Sequence, residues 1–153
     1  MKRTVYILVF VLCVFLSNLN AQDYSYDKNF SSQLGFAAGR TIGFGISYRF
    51  MPVDFGVQAT VGSFYNDLSI GFTPMIMLQR NKIANLFLYN GNSFYKDDDE
   101  NIKISNSFGI GIDLNSETPF TLSFMGGIAS HYELPNDWTY SYTLEIAVLY
   151  KIH

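Results

Sequence analysis

Thirteen consecutive residues, Ile102 to Leu114 (IKISNSFGIGIDL), indicate the fold class of this chain. One set of alternate positions is Ile102, Ile104, Asn106, Phe108, Ile110, Ile112 and Leu114, and the other is Lys103, Ser105, Ser107, Gly109, Gly111 and Asp113. Successive side chains of a β-strand point to opposite faces, so this period of two predicts a strand with one apolar face. Tyr140 to Ile152 repeats the pattern over the same length.

Six further segments alternate in the same way, with varying regularity. The predicted strands are Gln33–Gly39, Thr41–Phe50, Asp54–Phe64, Leu68–Gln79, Ala84–Tyr95, Ile102–Leu114, Phe120–Ser130 and Tyr140–Ile152. Pro74 interrupts the apolar face of the fourth segment, and the two faces of the fifth are blurred. No segment after the first 21 residues keeps a helical period for three turns. The sequence therefore predicts an all-β fold, an eight-stranded antiparallel up-and-down β-barrel.

The first 21 residues have the order of a secretory signal. Lys2 and Arg3 precede an unbroken apolar run from Val5 to Leu16, and a polar stretch then ends at the small residue Ala21. The run is shorter than the roughly 20 residues of a membrane-spanning helix. We expect residues 1–21 to be a cleaved signal peptide for the general secretory pathway, and residues 22–153 to be a single barrel domain.

The composition of the expected mature chain excludes several classes of protein. Cys13, the only cysteine, lies inside the signal, so disulfides do not hold the fold together. Removing Lys2 and Arg3 leaves eight basic side chains against thirteen acidic ones. This acidic balance argues against nucleic acid as a partner.

The chemistry of the two faces distinguishes a membrane barrel from a soluble one. The less apolar face consists mainly of Gly, Ser, Thr, Ala and Gln, which suit a narrow lumen. The opposite face carries bulky apolar residues, which suit lipid, and aromatic residues cluster near both ends of the segments. We therefore expect a transmembrane β-barrel of a Gram-negative outer membrane, with outer-membrane lipid and lipopolysaccharide as its surroundings.

The links between segments alternate in length. Links expected to face outward include Tyr65–Asp67, Lys96–Asn101 and His131–Thr139, whereas Met51–Val53, Arg80–Ile83 and Asn115–Thr118 form the shorter turns. Long outer loops with short periplasmic turns are typical of bacterial barrels. The first outer link, around Arg40–Thr41, is too short to fit this asymmetry.

Two stretches resemble the broad group of small outer-membrane β-barrel proteins, with OmpA-like and OmpX-like eight-stranded domains. They are Gly43–Phe50 (GFGISYRF) and Ile146–His153 (IAVLYKIH), and the resemblance covers Gln33 to His153. The ending is similar to the signal by which the barrel-assembly machinery recognises such proteins. It departs from that pattern because Ile152 and His153 stand where a terminal Phe is usual. The resemblance implies a porin-like architecture and no particular activity.

Charged residues on the small-residue face are the first candidates for chemistry. They are Arg49, Asp54, Lys103, Asp113, Glu145 and Lys151. They could line an ion path, but a narrow lumen favours charges that pair within a packed interior. The acidic run Lys96–Asn101 lacks the spacing and glycine of a calcium loop, so a solvated loop tip is the better interpretation.

His131 is the only credible catalytic base. Ser130, His131 and Glu133 contain the residue types of an esterase triad, but neighbours on a strand point to opposite faces, so this stretch cannot form a triad by itself. We assign no catalytic, cofactor-binding or metal-binding residue. The expected function is a non-enzymatic barrel with a structural or surface-interaction role, in which the outer loops meet partners. The alternatives are a lipid A- or phospholipid-modifying enzyme and a narrow pore.

Overall fold

A computed structural model of the chain describes residues 31–52, 54–64, 67–80, 83–96, 102–115, 119–133 and 136–152. Eight strands form one closed antiparallel barrel in which each strand pairs with its neighbours in sequence and β1 pairs with β8. The predicted fold class and strand count are confirmed. The predicted signal peptide lies outside the described residues. Among those residues, no helix is long and apolar enough to cross a bilayer.

The strand bounds agree with the alternating segments except at the ends, where most strands are longer than predicted and β2 and β3 begin two residues and one residue later. The strands are β1 Ser31–Gly39, β2 Gly43–Met51, β3 Phe55–Phe64, β4 Asp67–Arg80, β5 Ala84–Lys96, β6 Ile102–Asn115, β7 Phe120–Glu133 and β8 Asn136–Ile152. The main difference from the prediction is at His131–Thr139, where the sequence predicts an outer loop and the structure has mostly strand. β7 continues to Glu133 and β8 begins at Asn136, so His131 lies on a strand.

The inward and outward faces are those that the alternation predicts. Along β8, Thr143, Glu145, Ala147 and Leu149 are buried in the lumen, whereas the residues between them are exposed on the outside of the barrel. All eight strands expose large apolar side chains on their outward face.

The paired residues also fix how far the strands are tilted. Ala37 on β1 pairs with a residue of β2, which pairs with a residue of β3, and this series of paired residues reaches Asn136 on β8. On the other side of β1, Ala37 pairs directly with Ala147 of β8. These positions are eleven residues apart, and the bulge between Tyr132 and Glu133 accounts for one of them. The shear is therefore ten residues. For eight strands this corresponds to a tilt of roughly 40°.

The two ends of the barrel differ. We call the end with the β2–β3, β4–β5 and β6–β7 links the lower end, and the opposite end the upper end. β1 and β2 have nine residues each, whereas β4 to β8 have 13 to 17. At the β1–β8 seam the lower ends meet, since Ser32 pairs with Ile152, but pairing stops at Gly39 and Glu145. Residues 136–144 of β8 therefore continue upward without a β1 partner.

An asparagine cluster on the outward face explains why the faces of β5 are blurred. Pro74 on β4 has no N–H to donate, and the β4–β5 ladder lacks a pair at this position. The side-chain Nδ2 of Asn92 donates to the carbonyl of Asn90, which lies opposite Pro74, at 3.3 Å and to that of Phe72 at 3.4 Å. Asn106 in turn donates to Asn92 Oδ1 at 2.5 Å. Side-chain amides thus replace the main-chain bond that proline cannot make.

Candidate functional site in the barrel lumen

The lower half of the lumen holds a buried ion pair. Arg49 Nη1 lies 2.8 Å from Asp113 Oδ1, and both side chains are almost completely buried. The rest of the guanidinium donates to Gln58 Oε1 at 2.9 and 2.7 Å and to Ser123 Oγ at 3.0 Å, and it lies 5.5 Å from the centre of the Phe87 ring. This group is a satisfied packing layer, as the paired-charge interpretation predicts for Arg49 and Asp113.

The link between β1 and β2 folds into the lumen. Gly43 begins β2 with a φ of 69°, a left-handed conformation that glycine adopts without strain, and this reverses the chain after Arg40–Ile42. Thr41 and Ile42 are fully buried. Ile42 packs with Ala37, Ala147 and Leu149, and we call these four residues the apolar seal. The predictions of Thr41 as a strand residue and Ile42 as an outward one are wrong, because the turn directs both into the barrel.

Polar bonds fasten this turn to the surrounding wall. Thr41 Oγ1 lies 2.9 Å from Thr143 Oγ1. Ser93 Oγ donates to the carbonyl of Thr41, and Ser69 Oγ donates to that of Ile42 at 3.3 Å. The carbonyls of the buried turn are therefore satisfied by serines of β4 and β5.

Glu145 lies beside the turn, and no basic side chain in the described part of the chain pairs with it. It is 1% exposed, its Oε1 accepts from Thr143 Oγ1 at 3.5 Å, and its Oε2 has no hydrogen-bond partner. The hydroxyls of Thr41 and Ser107 lie around the same carboxyl group. The expectation that the lumen charges pair is therefore wrong for Glu145, since Arg49 is already occupied by Asp113.

The hydroxyl of Tyr89 belongs to the same region. Tyr89 is 1% exposed, its Oη forms no hydrogen bond of normal geometry, and its side chain lies close to Glu145 and to the Ser107 hydroxyl. Two buried oxygen atoms, Tyr89 Oη on β5 and Glu145 Oε2 on β8, thus form no hydrogen bond of normal geometry with the described residues, although the Ser107 hydroxyl lies near both side chains. Buried polar atoms are usually satisfied, so these two oxygens, like Gln33 Oε1 and two nitrogens of Arg80, are exceptions within the described interior.

His131 lies above the turn, where it joins two serines from neighbouring strands. Its Nδ1 is 2.8 Å from Ser105 Oγ on β6, and its Nε2 is 3.0 Å from Ser141 Oγ on β8. Ser105 is completely buried, whereas His131 and Ser141 are half-buried. The strand geometry excludes a triad within residues 130–133 and instead gives His131 hydroxyl partners across the sheet, which no local motif could predict.

The remaining predicted charges have varied positions. Asp54 lies exposed in the β2–β3 link, so its assignment to the lumen is wrong; its carbonyl accepts from the N–H of Met77 at 2.8 Å. Lys103 and Lys151 are half-buried at inward positions. The acidic residues 97–100, with Asn101, lie outside the described part of the chain. Within that part, no three His, Asp or Glu side chains are grouped as metal ligands.

Comparisons with known proteins add no identification. No family model matches this chain, and neither does any curated protein or solved structure.

Proposed function

We propose that this chain is a non-enzymatic integral protein of a Gram-negative outer membrane, exported by the general secretory pathway, whose barrel holds a sheet edge at the cell surface. The observation that supports a membrane location is the inversion of the faces. Outward side chains such as Phe36, Phe44 and Leu68 are 56%, 62% and 67% exposed, while Arg49, Asp113 and Glu145 are buried. Each outward apolar side chain would lose favourable transfer free energy in water, at about 25 cal/mol per Å².

Closure of the sheet fits a hydrocarbon environment. Lipid offers no hydrogen bonds, so a spanning sheet must satisfy its backbone internally. The ladder of paired strands does so, and the amide of Asn92 supplies the donor that is missing at Pro74. Such a repair is of little value in water, which would hydrate a free carbonyl.

The height of the strands supports a surface role. A β-barrel presents an apolar band about 25 Å tall, whereas a 14-residue strand at a tilt of about 40° rises roughly 35 Å. β4, β6 and β7 have 14 residues and β8 has 17, so these strands project beyond the band. With periplasmic lower turns, the projection is on the outside of the cell.

The free edge of β8 is the expected contact surface. The carbonyl of Leu144 accepts from Arg40 N–H at 3.4 Å, so even-numbered residues of β8 direct their main chain toward β1. Beyond the end of β1, Tyr142 and Tyr140 are 84% and 75% exposed. A free edge accepts an extended segment of a partner as an added strand. We expect protein partners to bind here, rather than only through the loops.

The C-terminal half of β8 has a separate role in this proposal. Its alternating residues close the barrel against β1, from Glu145 to Ile152. Recognition of the same strand by the barrel-assembly machinery would make delivery of the chain to the membrane and closure of the β1–β8 seam depend on the same residues.

Cell fractionation tests the membrane location. The folded protein should occur in the outer-membrane fraction, and it should migrate differently on a gel when the sample is not boiled. Recovery in the soluble periplasmic fraction, without a heat-dependent shift, would refute the proposal.

Surface labelling tests the orientation. The expected mature chain has no cysteine, so Tyr140→Cys and Phe120→Cys each introduce one thiol, at the upper and lower ends. A membrane-impermeant maleimide should label Tyr140→Cys in intact cells and label Phe120→Cys only after lysis. The opposite result would place the upper end in the periplasm.

A lipid-modifying enzyme is the second candidate, and the contacts of His131 are the observation that favours it. A histidine between two hydroxyls can act as a base toward one of them, and Ser141 is the more exposed of the two. We rank this candidate second because the His131–serine contacts supply only part of what acyl transfer requires, which also includes oxyanion donors. In mass spectra of lipid A and phospholipids, a changed acylation in the His131→Ala strain would support it, and unchanged lipids would dispose of it.

A further inference from the structure

We propose that the lumen binds one alkali-metal cation, such as Na⁺, between Glu145, Tyr89 and Gly91. The first reason is the state of the carboxyl group. Glu145 is fully buried, one of its oxygens has no partner, and no basic side chain among the described residues forms an ion pair with it. An isolated buried carboxylate is very costly, so its charge requires a counter-charge or a proton.

The second reason is that oxygen atoms of three strands converge around Gly91. A methyl group placed at Gly91 would lie 2.5 Å from Ser107 Oγ, 3.7 Å from Thr73 Oγ1 and 3.8 Å from Glu145 Oε1. Oxygens from β4, β6 and β8 therefore converge in front of a residue that has no side chain. Tyr89, whose Oη forms no hydrogen bond of normal geometry, precedes Gly91 by two residues on β5, so its side chain is on the same face of the strand.

The chemistry of these groups selects the class of ion. They are hydroxyl and carboxylate oxygens, which are ligands for hard cations, and histidine and sulfur do not contribute. Only one of them carries a formal negative charge, so a single positive charge neutralises the site. A divalent ion normally takes several carboxylates, and no such group of acidic residues occurs in the described chain.

Thermal unfolding of the purified barrel in detergent tests this proposal. The midpoint is measured near neutral pH in sodium, potassium and N-methylglucamine chloride at equal ionic strength. A bound ion stabilises only the folded state, so sodium or potassium should raise the midpoint saturably, by roughly 5 °C, over the bulky organic cation. Equal midpoints in all three salts would overturn the proposal and indicate that Glu145 carries a proton.

Variants locate the effect in the lumen. Glu145→Gln should abolish the difference between the salts, whereas Asp54→Asn, which removes an exposed carboxylate, should retain it. Gly91→Ala keeps the carboxylate but places a methyl group 2.5 Å from Ser107 Oγ, so this hydroxyl must move away from the proposed site. This variant should therefore also abolish the difference. A full alkali-metal response in Gly91→Ala would place the ion elsewhere and contradict the proposal.

Equilibrium dialysis against radioactive sodium gives the number of ions directly. The wild-type barrel should bind one ion per chain, and Gly91→Ala should bind none. A response to calcium alone, without sodium or potassium binding, would overturn the choice of a monovalent ion.

Discussion

At the scale of single residues, the stability of the lumen depends on whether each buried charge keeps its partner. In the wild type, Arg49 Nη1 lies 2.8 Å from Asp113 Oδ1. Asp113→Ala removes this carboxylate and leaves the Arg49 guanidinium buried without it. Removing one member of a buried pair usually costs about 3–5 kcal/mol, whereas replacing both by apolar residues costs much less. We expect Asp113→Ala to be less stable than Arg49→Met combined with Asp113→Leu. Urea unfolding in lipid vesicles measures the difference, and an equal loss in both variants would contradict it.

A double-mutant cycle can test whether the Asn92 side chain compensates for the N–H that Pro74 lacks. Asn92→Leu removes the donor that serves the carbonyls of Asn90 and Phe72, and it should cost about 1–3 kcal/mol. Pro74→Val restores a main-chain N–H at the break, so the second substitution should recover part of that loss. The same unfolding assay gives the coupling energy. Strictly additive effects would show that Asn92 does not act for Pro74.

Sequence alone reaches only part of this residue-level detail. Alternation correctly assigns Arg49 and Asp113 to the lumen, because the side-chain period is a local property. It cannot show that Arg49 reaches across to β6 while Glu145 lacks a basic partner, since both facts depend on how the barrel closes. For the same reason, the serine partners of His131 come from two other strands and are not apparent in any local motif.

At the scale of elements, the β1–β2 turn is the least regular part of the wall and depends on one backbone conformation. Gly43 has a φ of 69°, where a residue with a Cβ is disfavoured by about 1–2 kcal/mol. We expect Gly43→Ala to lower the free energy of unfolding by about that amount. Gly126→Ala is the matched control, because a Cβ at Gly126 would meet only a carbonyl oxygen 4.0 Å away. Equal stability of the two variants would contradict a special role for this turn.

The ends of elements were harder to predict than their centres. Alternation places all eight strands, but the bulge between Tyr132 and Glu133 breaks the period where β7 and β8 meet. The polar and aromatic residues there are typical of a loop, so the sequence predicts a loop from His131 to Thr139. The sequence does not predict the inward fold of Thr41 and Ile42, because a short link between two alternating segments does not show which way it turns.

At the scale of the whole molecule, the shear of ten residues connects the sloping upper rim to the free edge of β8. Because the strands are tilted, the rim could be level only if each strand were offset from its neighbour. The hairpins β3–β4, β5–β6 and β7–β8 instead meet nearly flush. The offset therefore accumulates around the barrel and appears as one step at the β1–β8 seam, where β8 continues beyond β1 and pairs only with β7. This step depends on register, which alternation within single strands does not determine.

Closure of the lumen is also a property of the whole barrel, because more than one cluster of side chains blocks it. Two apolar clusters fill the interior: the apolar seal, and the buried cluster of Met51, Met75, Phe87, Tyr89 and Met125, whose Phe87 packs against Arg49 of the Arg49–Asp113 pair. We therefore expect no single-channel current from the wild-type protein in planar bilayers. Ile42→Ala removes most of one cluster and should cost about 2–5 kcal/mol of stability, yet it too should conduct no ions because the other cluster remains. Regular conductance steps from the wild-type protein would show a continuous path and contradict closure of the lumen. Steps from Ile42→Ala alone would mean that the apolar seal is the only barrier.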